Sequence, residues 1–132
     1  MSQENVEIVR GAYEAVNRGD IDGVLDLCSP DVEWQDLAGI DTSAGTGKDA
    51  VRAYFETVME PWEEVRREAE EIIDLGGDRV LVLFHMTGRG KGNGIEVDAR
   101  AGDLLTIREG RLVRWVGYPD RAKALEAAGL GE

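Results

Sequence analysis

Apolar side chains recur at helical spacing near the start of the chain. The stripe is formed by Val6, Val9, Tyr13 and Val16. This spacing predicts an amphipathic helix that ends at Gly19. Asp20 can cap a second short helix that carries Cys28, and Pro30 prevents that helix from continuing.

A second region of helical spacing lies between residues 46 and 61. Its apolar positions follow the i, i+3, i+4, i+7, i+8 series and are Val51, Tyr54, Phe55, Val58 and Met59. Thr46 and Asp49 resemble a capping box at the start of this helix, and Pro61 ends it. The preceding residues, 37–47, are rich in Gly, Ser, Thr and Asp, which predicts a loop.

The remaining segments have the patterns of strands, apart from one ambiguous segment and a last helix. Residues 32–36, VEWQD, place Asp36 on the same face as Trp34. The segment from Arg79, RVLVLFHMT, is apolar on both faces, as expected of a central strand. Residues 62–75 fit a helix and a strand equally well, so periodicity alone leaves their structure open. A terminal helix is predicted from Asp120 through Ala128.

One carboxylate stands on the apolar face of a predicted strand between Ile95 and Ile107. The residues that share this face with Asp103 are Val97, Ala99, Ala101 and Leu105. If residues 107–111 form a three-residue hairpin, Trp115 lies opposite Asp103, whereas a two-residue loop brings Val116 there. A buried carboxylate requires partners or a function, so Asp103 is a candidate site residue.

Length, charge and cysteine content narrow the class of protein. The chain has 132 residues, which predicts a single domain over 1–132, and its net charge of -12 argues against nucleic acid as a partner. One cysteine and one histidine provide neither a disulfide nor a metal site, so we expect no metal and no cofactor. No apolar run is long enough for a membrane span, and the polar N-terminus indicates a cytoplasmic protein.

The order of predicted elements matches a known superfamily. The resemblance rests on three segments: AYEAVNRGDIDGVLDLCSPDVEW at 12 to 34, TGKDAVRAYF at 46 to 55, and EGRLVRWVGYPDRAKALEAAGL at 109 to 130. With these segments the chain resembles the nuclear transport factor 2-like superfamily, in its SnoaL-like and ketosteroid-isomerase-like branch. The resemblance implies an α+β fold in which a curved, mixed but mostly antiparallel sheet wraps around helices as a cone-shaped barrel with an internal cavity. It also implies a strand at 63–75 and a homodimer.

The same resemblance implies a pair of catalytic aspartates. Asp36 occupies the position of the base in ketosteroid isomerases. Asp103 occupies the position of the aspartic acid that those enzymes keep protonated. Counting back from Asp36 puts Ala12, not Tyr13, at the position of the first-helix tyrosine of that family. The strand faces derived above agree with both aspartates.

Two classes of function follow. In the first, the protein is a cofactor-free isomerase or cyclase, in which Asp36 takes a proton next to a carbonyl and a neutral Asp103 donates a hydrogen bond to the enolate oxygen. In the second, it is a non-catalytic binding module for a small hydrophobic metabolite. A purely structural alternative for the two aspartates is that Asp36 caps a loop and that a bulge near Gly102 turns Asp103 out to solvent or toward an arginine. Both classes use an aromatic lining, which is also compatible with ordinary core: Tyr13, Trp34, Tyr54, Phe55, Phe84 and Trp115.

The role of His85 depends on strand pairing. A four-residue connection between Arg89 and Gly94 pairs His85 with Asp98, on the face away from Asp103, although a slipped register would reverse this. An epoxide hydrolase would require a carboxylate, an arginine and a second carboxylate on one face, and the sequence shows no such set. A role through the outer sheet face, in contacts with other proteins, is the remaining possibility.

Overall fold

The computed structural model describes residues 2–37 and 44–130. The helices are α1 (Ser2–Arg18), α2 (Ile21–Asp26), α3 (Lys48–Met59) and α4 (Arg121–Ala127). The strands are β1 (Cys28–Asp36), β2 (Ala44–Thr46), β3 (Trp62–Gly76), β4 (Arg79–Gly90), β5 (Glu96–Arg108) and β6 (Arg111–Tyr118). The fold is therefore α+β, as the sequence predicts, and β3 resolves the ambiguity of residues 62–75 in favour of a strand.

The described strands form one six-stranded mixed sheet in the order β2-β1-β6-β5-β4-β3. The β1–β6 pair is parallel and every other pair is antiparallel. Within the described ranges the sheet keeps two edges, β2 and β3, and is not closed into a barrel. Because the parallel pair stands between β2 and the long antiparallel run, the end of β1 lies beside β6 in the middle of the sheet.

Hydrophobic burial puts helices on both faces of the sheet. Buried residues of α1, α2 and α3 join the inner face in one large core, which includes Val9, Val24 and Phe55. On the outer face, Ala124 of α4 packs with Leu81 of β4 in a smaller core. This division gives the sheet an inner face on which buried polar groups can be held away from water.

Local predictions fail at three places around α2 and α3. Cys28 begins β1 instead of ending α2, since α2 stops at Asp26. Residues 44–46, expected in a loop, form β2 and pair with β1. The capping box is wrong because Thr46 belongs to that strand. Gly47, at φ 98°, precedes the helix without a side-chain cap. The rest of the predicted loop, residues 38–43, lies outside the described residues.

The helix boundaries set by capping residues agree with prediction. Asp20 caps α2 by accepting a hydrogen bond from the Gly23 amide at 2.9 Å, and Asp120 caps α4 through the Lys123 amide at 2.8 Å. A side-chain oxygen at these positions satisfies an amide that has no partner within the helix. Short polar residues just before an apolar stripe were sufficient to find both starts.

Both predicted registers on β5 are wrong, yet each leaves Asp103 on the inner face. Asp103 pairs with Val82 of β4, and His85 pairs with Arg100, two positions from the expected Asp98. On the other side Asp103 pairs with Gly117, and neither Trp115 nor Val116 stands opposite. A shift of two positions preserves the face of every side chain, since strands repeat every two residues.

The pairing with Gly117 has a local cause in the β5–β6 hairpin. The turn has two residues, Glu109 and Gly110, which both have positive φ, at 52° and 77°. The ladder then shifts between Thr106 and Ile107, where β6 carries one extra residue. This β-bulge moves the register one position beyond that of a plain two-residue hairpin and brings Gly117 to Asp103.

Candidate active site

Asp103 is the most deeply buried acid of the described residues, with 1% of its surface exposed. Its Oδ2 atom accepts hydrogen bonds from the hydroxyl of Tyr13 and from Nε1 of Trp115, the latter at 3.0 Å. Nη1 of Arg67 lies 3.8 Å from the same oxygen. Asp103 thus points into the protein and not outward, and three elements, α1, β6 and β3, supply its partners.

Asp36 lies in the same cluster at the end of β1 and is 7% exposed. Its Oδ2 atom accepts a hydrogen bond of 2.7 Å from the hydroxyl of Tyr54 on α3. That hydroxyl in turn accepts a hydrogen bond of 3.3 Å from Nη2 of Arg67. One guanidinium therefore contacts Asp103 directly and reaches Asp36 through Tyr54.

Arg67 is a site residue that the sequence analysis missed. Only 8% of it is exposed, and its guanidinium lies 5.3 Å from the centre of the Phe84 ring. Asn17 of α1 fixes its backbone: the Arg67 amide donates to Oδ1 at 2.7 Å, and Nδ2 donates to the Arg67 carbonyl at 2.9 Å. The two-residue repeat of a strand could have identified it, because that repeat puts Arg67 on the same face as the apolar residues Val65 and Ala69. It also corrects the expectation that no arginine stands with two carboxylates on one face.

The buried acids and tyrosines have shifted pKa values. Burial raises the pKa of Asp103, while the nearby guanidinium of Arg67 and the two hydrogen bonds oppose that rise. Burial, together with the charge of Asp103, holds the pKa of Tyr13 well above its usual range. Burial also raises the pKa of Tyr54. One arginine faces two carboxylates here, so a neutral Asp103 would leave no net charge in the cluster.

The six aromatic residues expected to line a pocket lie together beside the two aspartates. The ring of Trp34 is centred 4.4 Å from that of Tyr54 and 4.9 Å from that of Trp115. Tyr13 contacts Trp115 at 5.7 Å and Phe84 at 6.2 Å between ring centres. Two buried donors here, Nε1 of Trp34 and Nε of Arg67, have no hydrogen-bond partner in the described structure. A groove of about 240 Å³ between α1, α2 and α3 reaches Phe55 from outside.

His85 lies on the outer face of the sheet, away from this cluster. Its Nε2 atom is 2.7 Å from Oδ1 of Asp98. The expected contact is therefore present, although it runs diagonally because His85 pairs directly with Arg100. No group of three or more potential metal ligands occurs among the described residues.

Comparison with known proteins now identifies the family. The model of the SnoaL-like domain matches residues 9–115, so the chain belongs to the SnoaL-like family. No curated protein matches the chain. None of the helices described here is long and apolar enough to cross a membrane.

Solved structures with the same fold extend this result. A nuclear transport factor 2-like protein of unknown function from Burkholderia pseudomallei is 28% identical, with a TM-score of 0.80 over 93% of this chain and 95% of that one. A nuclear transport factor 2-like protein from Burkholderia xenovorans is 29% identical, with a TM-score of 0.77 over 97% of both chains. A candidate polyketide cyclase from Pseudomonas putida is 26% identical, with a TM-score of 0.71 over 86% and 90%.

Proposed function

We propose that this protein is a cofactor-free isomerase or cyclase that moves a proton on a small, mainly apolar carbonyl compound. The observation that carries the proposal is the pair of buried carboxylates with different partners. Asp103 is held by Tyr13 and Trp115 and its pKa is raised by burial, whereas Asp36 ends a strand beside Tyr54. Two carboxylates in different environments are the usual basis for separate acid and base roles.

Asp36 and Asp103 have different roles in the proposed reaction. Asp36 takes a proton from the carbon next to the carbonyl, and the electron pair moves onto the carbonyl oxygen. Neutral Asp103, with Tyr13 beside it, donates a hydrogen bond to that oxygen as it becomes negative. Asp36 then returns its proton to a carbon of the enolate, so the reaction consumes no cofactor. The description of the Pseudomonas putida relative as a candidate polyketide cyclase supports this class of chemistry.

Arg67 favours one second candidate, the hydrolysis of an epoxide. Its guanidinium joins the two carboxylates, directly at Asp103 and through Tyr54 at Asp36. In that reaction Asp36 takes a proton from water, the water oxygen attacks an epoxide carbon, and Asp103 protonates the departing oxygen. Both candidates assign the same roles of base and acid and differ in the substrate.

The experiment measures both reactions with the same variants. Exchange of the α-hydrogens of cyclohexanone and tetralone in heavy water is followed by NMR, and hydrolysis of styrene oxide is followed separately. We expect Asp36→Asn to lower turnover by about 10²–10⁴-fold. Asp103→Asn should lower turnover at least about tenfold with little change in KM, because its hydrogen bond strengthens only as charge develops.

Matched controls lie on the same strands. Asp31→Asn on β1 and Asp98→Asn on β5 change exposed carboxylates and should leave both rates unchanged. Exchange that persists at the wild-type rate in Asp36→Asn and Asp103→Asn would contradict the assigned roles. Tight binding of the ketones without exchange or hydrolysis would identify a binding module instead.

A further inference from the structure

The groove of about 240 Å³ lies where the C-terminal end of α1 meets α2 and α3. Its apolar lining is supplied by Val16, Ile21, Val24 and Phe55, from the apolar stripes of the three helices. Gly19 keeps the groove open, because a Cβ atom added there would meet no other atom within 4 Å. The groove is therefore an open space with apolar walls, a shape suited to a small ligand.

The groove is separate from the buried aspartate cluster. Its inner end is Phe55, whose ring is centred 5.4 Å from that of Trp34 and 6.3 Å from that of Trp115. Neither Asp36 nor Asp103 lines it. A ligand in the groove would thus be divided from the candidate active site by an aromatic ring.

Every charged residue that lines the groove is acidic. These residues are Asp20, Glu56 and Glu60. Asp20 already has partners, since it caps α2 at the Gly23 amide and lies 3.4 Å from Arg18. Glu56 and Glu60 are exposed and take part in none of the ion pairs found among the described residues. Two carboxylates at the groove can therefore receive a positive charge.

The position of Glu56 and Glu60 on α3 concentrates negative charge there. The two residues are four apart, so they share a face of the helix, and like charges at this spacing repel. They also stand at the C-terminal end, where the helix dipole is negative, and the last turn holds no basic residue. Arg52, one turn earlier, is attracted by Glu56 but forms its ion pair with Asp22. The negative potential at the groove thus has a local origin, in addition to the net charge of -12.

We propose that this groove binds a small organic cation, an ammonium group attached to an apolar body. The body packs against Val24 and Phe55, and the ammonium group contacts Glu56 and Glu60 at the rim. A volume of 240 Å³ equals the share of about eight water molecules in the liquid, so the ligand has roughly eight to ten non-hydrogen atoms. The inference does not depend on the proposed function, because it uses a different site.

The experiment compares three ligands of nearly the same shape and different charge: benzylammonium, benzyl alcohol and benzoate. Each is titrated into isotope-labelled protein, and the backbone amide signals of Gly19 and Ile21 are followed by NMR. At about 0.1 M salt we expect benzylammonium to bind with a Kd of roughly 1 mM, at least about threefold more tightly than benzyl alcohol, and benzoate to bind most weakly. At about 1 M salt the advantage of the cation should largely disappear, because charges are then screened within about 3 Å.

The decisive variant combines Glu56→Gln with Glu60→Gln. It should lower the affinity for benzylammonium to that for benzyl alcohol, and it should unfold at no lower temperature than the wild type, because it relieves repulsion. The matched control combines Glu4→Gln with Glu7→Gln, two exposed residues near the other end of α1, more than a Debye length away. It removes the same charge and should leave all three affinities unchanged. Ile21→Ala should weaken benzylammonium and benzyl alcohol alike, since it removes part of the apolar wall.

Several results would overturn the inference. One is the absence of saturable binding by benzylammonium, and another is equal affinity of the wild type for benzylammonium and benzyl alcohol. A third is an equal loss of affinity in the control variant, which would assign the effect to net charge. Shifts confined to the indole N–H of Trp115, which donates to Asp103, would put the cation in the buried cluster instead. Groove signals that move with protein concentration alone would assign the groove to a second copy of the chain.

Discussion

At the scale of single residues, Arg67 determines the electrostatics of the site. Among the described residues it is the one cation in contact with Asp103, and it opposes the effect of burial on the pKa of that carboxyl. Its own backbone is fixed by Asn17 and its guanidinium stacks near Phe84. Such a side chain holds two acids at fixed positions, so its loss affects charge and geometry together.

We expect Arg67→Met to destabilise the fold by roughly 3–5 kcal/mol at a pH above the folded pKa of Asp103, because it then leaves a buried carboxylate without its cation. The pKa of Asp103 should rise further, so the loss should be smaller at mildly acidic pH, where the carboxyl is neutral. Urea unfolding at the two pH values measures this. Arg67→Lys should recover part of the stability, and Arg66→Met, on the exposed face of β3, should cost under about 0.5 kcal/mol. An equal loss at both pH values would contradict the electrostatic explanation.

Some residues of the site could be predicted from the sequence and others could not. Alternation alone placed Asp36 beside Trp34 and Asp103 on an apolar face, because side chains repeat every two residues in a strand. Tyr13 and Arg67 depend on how α1 and β3 cross the sheet, which no local pattern encodes. Counting along α1 indicated Ala12, and the tyrosine one residue further on makes the contact.

At the scale of elements, the β5–β6 hairpin sets the register of the site. Its turn residues Glu109 and Gly110 both have positive φ, which is the backbone of a type I′ turn. Sequence reasoning recognised the glycine but expected a longer turn, since glutamate rarely adopts positive φ. The bulge next to the turn then determined that Gly117, and not Trp115, faces Asp103.

This turn gives a prediction that is independent of function. Glu109→Asn should stabilise the protein by roughly 0.5–1 kcal/mol, because asparagine tolerates positive φ better than glutamate. Glu109→Gln removes the same charge without that preference and should have little effect. Thermal unfolding of the three proteins measures the difference. Equal gains from both variants would mean that charge, and not the turn conformation, is responsible.

At the scale of the whole molecule, Asp103 links folding to pH. In the unfolded chain its pKa is about 3.9, and in the folded protein burial raises it. Between these two values the folded state binds the proton that the unfolded state has lost, so the free energy of unfolding falls as pH rises from about 4 to the folded pKa. Glu70 acts oppositely: its hydrogen bond with Arg121 lowers its pKa, and the stability it contributes is lost only in more acidic solution.

We therefore expect the decline above about pH 4 to be reduced in Asp103→Asn, which keeps the shape of the side chain but cannot ionise. Urea unfolding across this range measures the slope in the wild type, in Asp103→Asn and in the exposed control Asp98→Asn. The large negative net charge, -12 in the wild type, adds similar repulsion to all three proteins, so the difference between slopes isolates the buried acid. Parallel curves for the wild type and Asp103→Asn would mean that Asp103 ionises as readily folded as unfolded. Asp36 and Asp103 would then be two anions beside one guanidinium, and the site would have no neutral acid to stabilise an enolate.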